Sequence, residues 1–220
     1  MLPVTIGVYG KKLKMTRCVT SAESAANTSN SLGTFTPVTI VELGPNLVTQ
    51  VKSRPADRHH SIQLAYDEVK AKSVLRSSFG KTRKSGSTRL FRSFGEFRIQ
   101  PSHIQNFTVG RTLDVSLLKV GQRVTVTGRP LGTGFMGTIK RHNFSRGPMT
   151  HGSKNHRLPG SIGSGTTPGR VYPGKKMAGR RSVTSRVNSK ILAIHNETNL
   201  LVLKGSLPGS TGNFLKISLY

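Results

Sequence analysis

The chain has 220 residues, 34% of them hydrophobic and none of them Trp, and its 34 Lys and Arg against 8 Asp and Glu give a formal net charge of +26. The single Cys18 excludes an internal disulfide and a Cys-based zinc site. No run approaches the roughly 18 apolar residues of a membrane helix, and the first residues turn polar too soon for a secretory signal.

Short runs rich in β-branched residues, with apolar residues at every second position, predict strands toward both ends of the chain. They are Val4–Val8, Val38–Leu43, Leu47–Lys52, Ile62–Tyr66, Arg123–Thr127, Lys190–Ile194 and Leu200–Lys204. The turn residues Gly44, Pro45 and Asn46 predict a hairpin over residues 38–52, and Asn196–Asn199 joins a second pair of strands. Several short strands with polar turns predict a mainly β fold with a small closed β-barrel, because closure removes exposed edges.

Three segments between these strands have other compositions. Ser21–Thr34 has little to bury and predicts a surface loop. Tyr66–Leu75 predicts a short helix. Lys81–Arg92 is basic and has few apolar residues for packing, which predicts a second, local basic arm.

The most one-sided segment is Val115–Asn196, which contains 15 Lys or Arg, four His and thirteen Gly but no Asp or Glu. Such a segment repels itself in water, so we expect it to be ordered beside a polyanion, most commonly nucleic acid. Within it, Gly and Pro interrupt Arg129–Ser182 every few residues, so neither a long helix nor a long strand is expected there. Long loops in folded domains are normally functional.

Two phosphate-binding motifs occur without the context that they need. Gly132–Gly137 matches G-x-G-x-x-G, but Pro148 limits any following helix and the next acidic residue is Glu197. Gly80-Lys81-Thr82 resembles the end of a P-loop, but Leu75 occupies the place of its first Gly. The acids are also too scattered for a catalytic centre.

The extension has side chains that suit RNA. Gly allows close approach to phosphates, Lys and Arg offset the phosphate charge, and Phe135, Phe144 and Tyr172 are either base-stacking rings or local hydrophobic anchors. His151 and His156 are five residues apart and have no Cys or carboxylate nearby, which favours polar contacts to phosphate or base over metal binding.

Residues 132–180, GTGFMGTIKRHNFSRGPMTHGSKNHRLPGSIGSGTTPGRVYPGKKMAGR, resemble the extension of large-subunit ribosomal protein three of the bacterial type. Further similar segments are GKKLKMTR near the start, PVTIVEL, NLVTQVK, FTVG, LKVGQRVTVTG before the extension, and NLLVLKGSLPGSTGN near the end. The resemblance implies a β-barrel body of the translation-protein type and a loop that threads through rRNA toward the peptidyl transferase centre. It also implies a role in early subunit assembly and no catalysis.

The matched segments imply which residues contact rRNA, and Ser145–Gly152 is expected at the tip of the loop. The implied contact residues are Lys11, Lys12, Phe135, Lys140, Arg141, His142, Asn143, Phe144, Arg146, His151, Lys154, His156, Arg157, Arg170, Lys175, Lys176, Arg180 and Arg181.

The predicted domains are a barrel body, residues 1–128 and 183–220, with a basic insertion around 67–98, and an extended rRNA-penetrating loop, residues 129–182. The expected partners are large-subunit rRNA and neighbouring large-subunit proteins, with no membrane, small-molecule substrate or cofactor; magnesium bound through rRNA would not be specified by the protein. The expected location is the ribosome, in bacterial cytoplasm, plastid stroma or mitochondrial matrix.

Two alternatives belong to other classes of protein. Charge alone is compatible with an architectural DNA-binding protein, although no recognition helix is predicted. An enzyme on a small barrel would use residues 132–137 for a phosphate-bearing ligand.

Overall fold

The computed structural model describes residues 7–20, 34–54, 57–181 and 183–219, and over these residues the chain is mainly β. The strands are β1 Gly7–Thr20, β2 Thr34–Glu42, β3 Asn46–Lys52, β4 Ser61–Glu68, β5 Phe91–Arg98, β6 Thr112–Leu113, β7 Arg123–Gly128, β8 Phe135–Met136, β9 Gly179–Arg180, β10 Ser185–His195, β11 Leu200–Lys204 and β12 Phe214–Leu219. The helices are α1 Arg76–Lys84 and α2 Thr138–His142, and 3₁₀ turns span Ala71–Ser73, Pro101–Asn106 and Val115–Leu117.

Six antiparallel strands form a closed barrel in the order β1, β12, β7, β10, β11 and β2, and β2 pairs with β1 to close it. The strands alternate as the sequence predicts: β7 buries Val124 and Val126, and β12 buries Leu215 and Ile217. Closure leaves no strand of the barrel as a free edge. The predicted small closed β-barrel is confirmed, as is the antiparallel pairing of β10 with β11 across residues 196–199.

Strands β5, β4 and β3 and the two-residue strand β6 form a second antiparallel sheet in that order. The predicted hairpin over residues 38–52 is therefore wrong. Strand β2 already pairs with β1 on one edge and β11 on the other, so no edge is free for β3. Instead the Asn46 side chain accepts a hydrogen bond from the Tyr9 N–H (2.9 Å) and donates to the Tyr9 carbonyl (3.0 Å), which places the start of β3 against β1.

The helix predicted at Tyr66–Leu75 is also wrong, because β4 continues to Glu68 and only a 3₁₀ turn follows. Tertiary packing holds Tyr66 in the sheet: its ring is stacked on the ring of Tyr9 with centroids 4.1 Å apart, and it meets the edge of Phe214. Contacts between rings from distant strands outweigh a weak local helix preference.

The basic arm predicted at Lys81–Arg92 is replaced by the end of α1 and the start of β5. Helix α1 packs through small polar residues rather than through large apolar side chains. Ser78, Thr82 and Ser85 are buried, and Thr82 Oγ1 donates to the Ser78 carbonyl (2.9 Å) while Ser85 Oγ donates to the Thr82 carbonyl (2.6 Å). The hydroxyls of Thr82 and Ser85 are thus satisfied within the helix.

The chain divides into two compact units, Met1–Arg129 with Thr184–Tyr220, and Pro130–Val183. In the first unit one hydrophobic core includes residues of both the barrel and the second sheet, among them Val8, Leu64, Phe97 and Leu201. The loop predicted at Ser21–Thr34 lies outside the described residues except for Thr34, where β2 begins.

Candidate nucleic-acid interface

The second unit has almost no hydrophobic core. Among its described residues Met136 is the one buried hydrophobic side chain, whereas Phe135 is 74% exposed and Tyr172 is 59% exposed. Burial of apolar surface contributes about 25 cal/mol per Å², so this unit gains little from the hydrophobic effect. Its structure depends on short pairings and on backbone hydrogen bonds.

A two-residue ladder closes the base of the unit. Strand β8 pairs antiparallel with β9, with Phe135 opposite Arg180 and Met136 opposite Gly179. Helix α2 begins two residues later and ends at His142; its C-cap, Asn143, has left-handed dihedrals (φ 59°, ψ 40°). Its last turn contains Lys140, Arg141 and His142, where positive charge suits the negative end of the helix dipole.

The two limbs are also joined through the carbonyl of Met177. Arg141 donates to it from Nη1 (2.8 Å), and His142 Nε2 lies 2.9 Å from the same oxygen. A carbonyl oxygen can only accept, so Nε2 of His142 is the donor in this hydrogen bond. A Cβ at position 179 would lie 2.5 Å from Arg141 Nη1, so this arrangement requires Gly179.

The chain turns at the predicted tip, between residues 147 and 156. The Gly147 N–H donates to the His156 carbonyl (3.0 Å), and His156 Nδ1 is 3.0 Å from the Pro148 carbonyl oxygen. A Cβ at position 147 would collide with the Asn155 carbonyl oxygen, so only Gly fits there. Next to the turn is an open cavity of about 760 Å³, lined by Phe144–Pro148, Asn155 and Leu158–Ser161.

The cations of this unit have no acidic partner. No Asp or Glu occurs between Asp114 and Glu197, and every ion pair found among the described residues lies in the first unit. The exposed cations include nearly all those predicted to contact rRNA: Lys140, Arg141, Arg146, Lys154, Arg157, Arg170, Lys175, Lys176, Arg180 and Arg181. The unit therefore presents uncompensated positive charge.

The predicted uncharged contacts occupy varied positions. Asn143 and His151 are exposed and both have positive φ, while His142, Phe144 and His156 are half-buried. The His142 and Phe144 rings lie 6.1 Å apart, and the Arg170 guanidinium lies 5.4 Å from the centroid of Tyr172. Of the aromatic side chains, Phe135 and Tyr172 are open to solvent and Phe144 lines the cavity.

The two candidates in β1 differ from each other. Lys11 is exposed, but Lys12 is 5% exposed, and its Nζ donates to the carbonyls of Leu207 and Gly209, both at 2.8 Å. Burial lowers the pKa of the Lys12 ammonium. The placement of Lys12 does not fit the predicted RNA contact, because its ammonium group is buried and donates hydrogen bonds to backbone carbonyls of the first unit. The sequence prediction missed this, since the partners are far away along the chain.

Two acids of the first unit, Glu96 and Asp67, form hydrogen-bonded ion pairs with cations of the same unit. Glu96 of β5 accepts from Lys52 Nζ at 2.5 Å and from Gln63 Nε2 at 3.3 Å, and the hydrogen bond from Lys52 holds the pKa of Glu96 below its usual value. Asp67 accepts from Arg92 Nε at 2.8 Å. The negative charge of these two acids is therefore compensated within the first unit.

Two other kinds of site do not occur in the described ranges. No group of three or more His, Cys, Asp or Glu is placed there to hold a metal ion. In that same part of the chain, no helix has the length and hydrophobicity needed to cross a membrane.

Comparison with known proteins identifies the family of the chain. A family profile described as Ribosomal protein L3 matches residues 100–206. Large ribosomal subunit protein uL3c of Emiliania huxleyi is 46% identical over 217 residues, covering 98% of this chain and 99% of the relative. Large ribosomal subunit protein uL3 of Picosynechococcus sp. is 42% identical over 217 residues, covering 98% and 96%. The uL3c protein of Phaeodactylum tricornutum is 44% identical, covering 97% and 98%.

Proposed function

Because the chain belongs to the ribosomal protein L3 family, we propose that it is a structural constituent of the large ribosomal subunit, of bacterial or plastid type, and binds large-subunit rRNA through its extension, residues 129–182. In this proposal the barrel body meets neighbouring ribosomal proteins, and the extension reaches through rRNA toward the peptidyl transferase centre. The protein itself carries out no catalysis.

One observation carries the RNA-binding proposal: the second unit combines exposed, unpaired cations with almost no core of its own. Ordering a residue costs about 1–2 kcal/mol in conformational entropy, so some fifty residues cost tens of kcal/mol. The burial of Met136 does not offset such a cost. A partner rich in phosphate offsets it, because each Lys or Arg that meets a phosphate releases counterions.

The local geometry supplies what RNA recognition needs beyond charge. Gly147 and Gly179 allow close approaches within the unit, and the cationic side chains around them are exposed. Phe135 and Tyr172 offer ring faces for stacking on unpaired bases, and the cavity beside Phe144 has the size of a typical ligand site. The cations can bind the phosphate backbone of folded RNA, and the rings can stack on unpaired bases.

Early assembly follows from the proposed path of the extension. An extension that reaches through rRNA must bind before the surrounding RNA has packed, because a closed RNA core would leave no path for it. We therefore propose that the protein joins the large subunit at an early stage and afterwards supports the catalytic RNA from within.

The test is crosslinking in intact ribosomes, with mapping of the nucleotides joined to residues 146–156. Attachment near the peptidyl transferase centre is expected. Scattered attachment, or failure of the protein to co-sediment with large subunits, would contradict the proposal and leave a generic polyanion binder. Competition of duplex DNA with structured rRNA separates the DNA-binding alternative, and nucleotide binding by the RNA-free protein would support the enzyme alternative.

A further inference from the structure

The described body has a second concentration of unpaired cations, on helix α1. Arg76, Lys81, Arg83 and Lys84 are all exposed, and none forms an ion pair in the described part of the chain. The nearby acids Asp67 and Glu68 are paired with Arg92 and Arg89 instead. The helix surface therefore keeps its full positive charge.

The exposed face of α1 has a definite arrangement. Residues three or four positions apart share a helix face, so Arg76, Gly80, Arg83 and Lys84 lie together, opposite the buried Ser78 and Thr82. Arg76 and Lys84 are two turns apart, about 12 Å along the axis at 1.5 Å per residue. We call these four residues the α1 face.

Gly80 occupies the middle of this face without a structural need for Gly. No positive φ is found at Gly80, and a Cβ added there would meet nothing within 4 Å. Gly in an exposed helix interior is about 1 kcal/mol less favourable than Ala. What Gly80 provides is bare backbone between three cations, where another backbone can approach closely.

The charges and the N-cap of α1 are also unfavourable for helix stability. Its first residue is Arg76, a positive charge at the positive end of the helix dipole, and its first turn contains no acid. Its N-cap, Leu75, makes no side-chain capping bond. Local choices that cost stability and have no packing benefit are typical of functional surfaces.

Two aromatic rings hold cations next to this face. Arg83 lies over the Phe79 ring (5.8 Å to the centroid) and Lys81 lies over the Phe94 ring (5.4 Å). Stacking of this kind restricts a long side chain without neutralising it. The cations are thus partly positioned before a partner arrives.

We propose that the α1 face is a second rRNA-binding site, on the body, which receives the phosphate backbone of an RNA duplex across Gly80. Arg76, Arg83 and Lys84 bind phosphates on either side of the closest approach. Double-stranded RNA is recognised mainly through its backbone, which matches a face of cations without a reading side chain at its centre. The inference rests on the proposed function in that the partner is rRNA, but it uses none of the extension's residues.

The first test compares three full-length triple variants with the wild-type chain for binding to a large-subunit rRNA transcript. The α1 variant is Arg76→Ala/Arg83→Ala/Lys84→Ala, the charge-matched body control is Arg123→Ala/Lys190→Ala/Lys204→Ala, and the extension variant is Lys175→Ala/Lys176→Ala/Arg180→Ala. We expect the α1 variant to reduce the slope of log affinity against log salt by about 2 to 3, as for three lost phosphate contacts. Footprinting should show lost protection at one duplex segment, different from the nucleotides exposed by the extension variant.

The second test is Gly80→Ala, with Gly44→Ala as the control, because a Cβ at position 44 also meets nothing within 4 Å. We expect Gly80→Ala to leave the melting temperature unchanged or raised, and to weaken rRNA binding about tenfold because the added methyl group keeps the phosphate backbone away from the helix. The salt slope should change less than in the α1 variant, because the three cations remain.

The inference is overturned if the α1 variant and the body control lose rRNA affinity equally, or if the α1 variant leaves the footprint unchanged. It is also overturned if the α1 variant binds rRNA normally but fails to enter large subunits, which would assign the face to a protein partner. If the extension variant alone loses protection, the proposed function stands and the α1 site fails. If the α1 variant alone loses protection, the α1 site stands and rRNA binding through the extension fails.

Discussion

Arg141 donates from Nη1 to the carbonyl of Met177 at 2.8 Å, thirty-six positions along the chain, and so joins the outgoing limb of the extension to the returning one. His142 uses the same carbonyl, and Gly179 leaves the space that the guanidinium occupies. Together with the β8–β9 ladder, this contact defines the base of a unit that has little else to hold it.

We predict that Gly179→Ala opens this base. A Cβ there would lie 2.5 Å from Arg141 Nη1, so the guanidinium must leave the Met177 carbonyl. Limited proteolysis of the RNA-free protein should show faster cleavage within residues 130–183. Gly132→Ala, where a Cβ meets nothing within 4 Å, should leave the cleavage rate unchanged. Equal rates in both variants would show that the Arg141 contact does not restrain the extension.

We predict that Arg146→Ala weakens rRNA binding without altering the thermal stability of the RNA-free protein, because Arg146 is exposed. The slope of log affinity against log salt should be about −6 to −10 for the native chain and smaller in magnitude by about 0.7 to 0.9 in the variant. Arg146→Lys keeps the charge and should keep the slope. A native slope near zero would contradict the electrostatic account, and a lower melting temperature would assign Arg146 a packing role.

We predict that Lys12→Ala destabilises the first unit and that Lys11→Ala does not. The Lys12 ammonium satisfies the carbonyls of Leu207 and Gly209, and a buried acceptor left without a partner costs about 1–3 kcal/mol. Urea denaturation of the full chain measures the difference. If the two variants have equal unfolding free energies, the carbonyls do not depend on Lys12.

We predict that Gly95→Ala destabilises the body by about 1–3 kcal/mol, the usual effect of overpacking. A Cβ there would collide with the Tyr9 hydroxyl, and the Tyr9 ring cannot retreat because Tyr66 is stacked on it at 4.1 Å. Burial also raises the pKa of the Tyr9 hydroxyl, so it stays neutral across the physiological range. Gly44→Ala is the control, and similar denaturation midpoints for both variants would contradict the close fit at Gly95.

We predict that the body loses stability in acid partly through Glu96. The pKa of Glu96 is lowered in the folded state, mainly by its hydrogen bond with Lys52, so its contribution is present above the unfolded pKa of about 4.3 and is lost as the pH falls through the folded value. Unfolding free energies measured from pH 6 to pH 3 should fall less steeply for Glu96→Gln than for the native chain. Glu68→Gln, whose Arg89 partner is exposed and 3.9 Å away, is the control; parallel curves for Glu96→Gln and the native chain would contradict the prediction.

Several features were predictable because they are local. The alternation in residues 123–127 and 200–204 marks strands wherever their partners lie, and β7 and β11 form there. The lack of acids between Asp114 and Glu197 means that the extension cannot neutralise itself in any fold. Family resemblance, carried by residues 132–180 and confirmed by the relatives, identified the protein family, which the charge alone left open.

Other predictions failed because they depended on distant residues. The turn at residues 44–46 is suited to a hairpin, yet β2 had no free edge once β1 and β11 had paired with it. Residues 81–92 were predicted to have too few apolar side chains to pack, but Thr82 and Ser85 satisfy their hydroxyls through nearby carbonyls and are buried. The sequence likewise did not predict that the exposed cations of α1 share one face, because this depends on how the helix packs against the body.

The sequence by itself thus determined the β character of the body, the charge of the chain and the family to which it belongs, since each follows from residue types and their spacing. Only the tertiary structure decided which strands pair, that Lys12 points inward while Lys11 stays exposed, and that four residues of α1 form one face. The physical reason is that pairing and burial depend on which edges and surfaces remain free after the rest of the chain has packed, as the bond from Lys12 to a carbonyl 195 positions away illustrates.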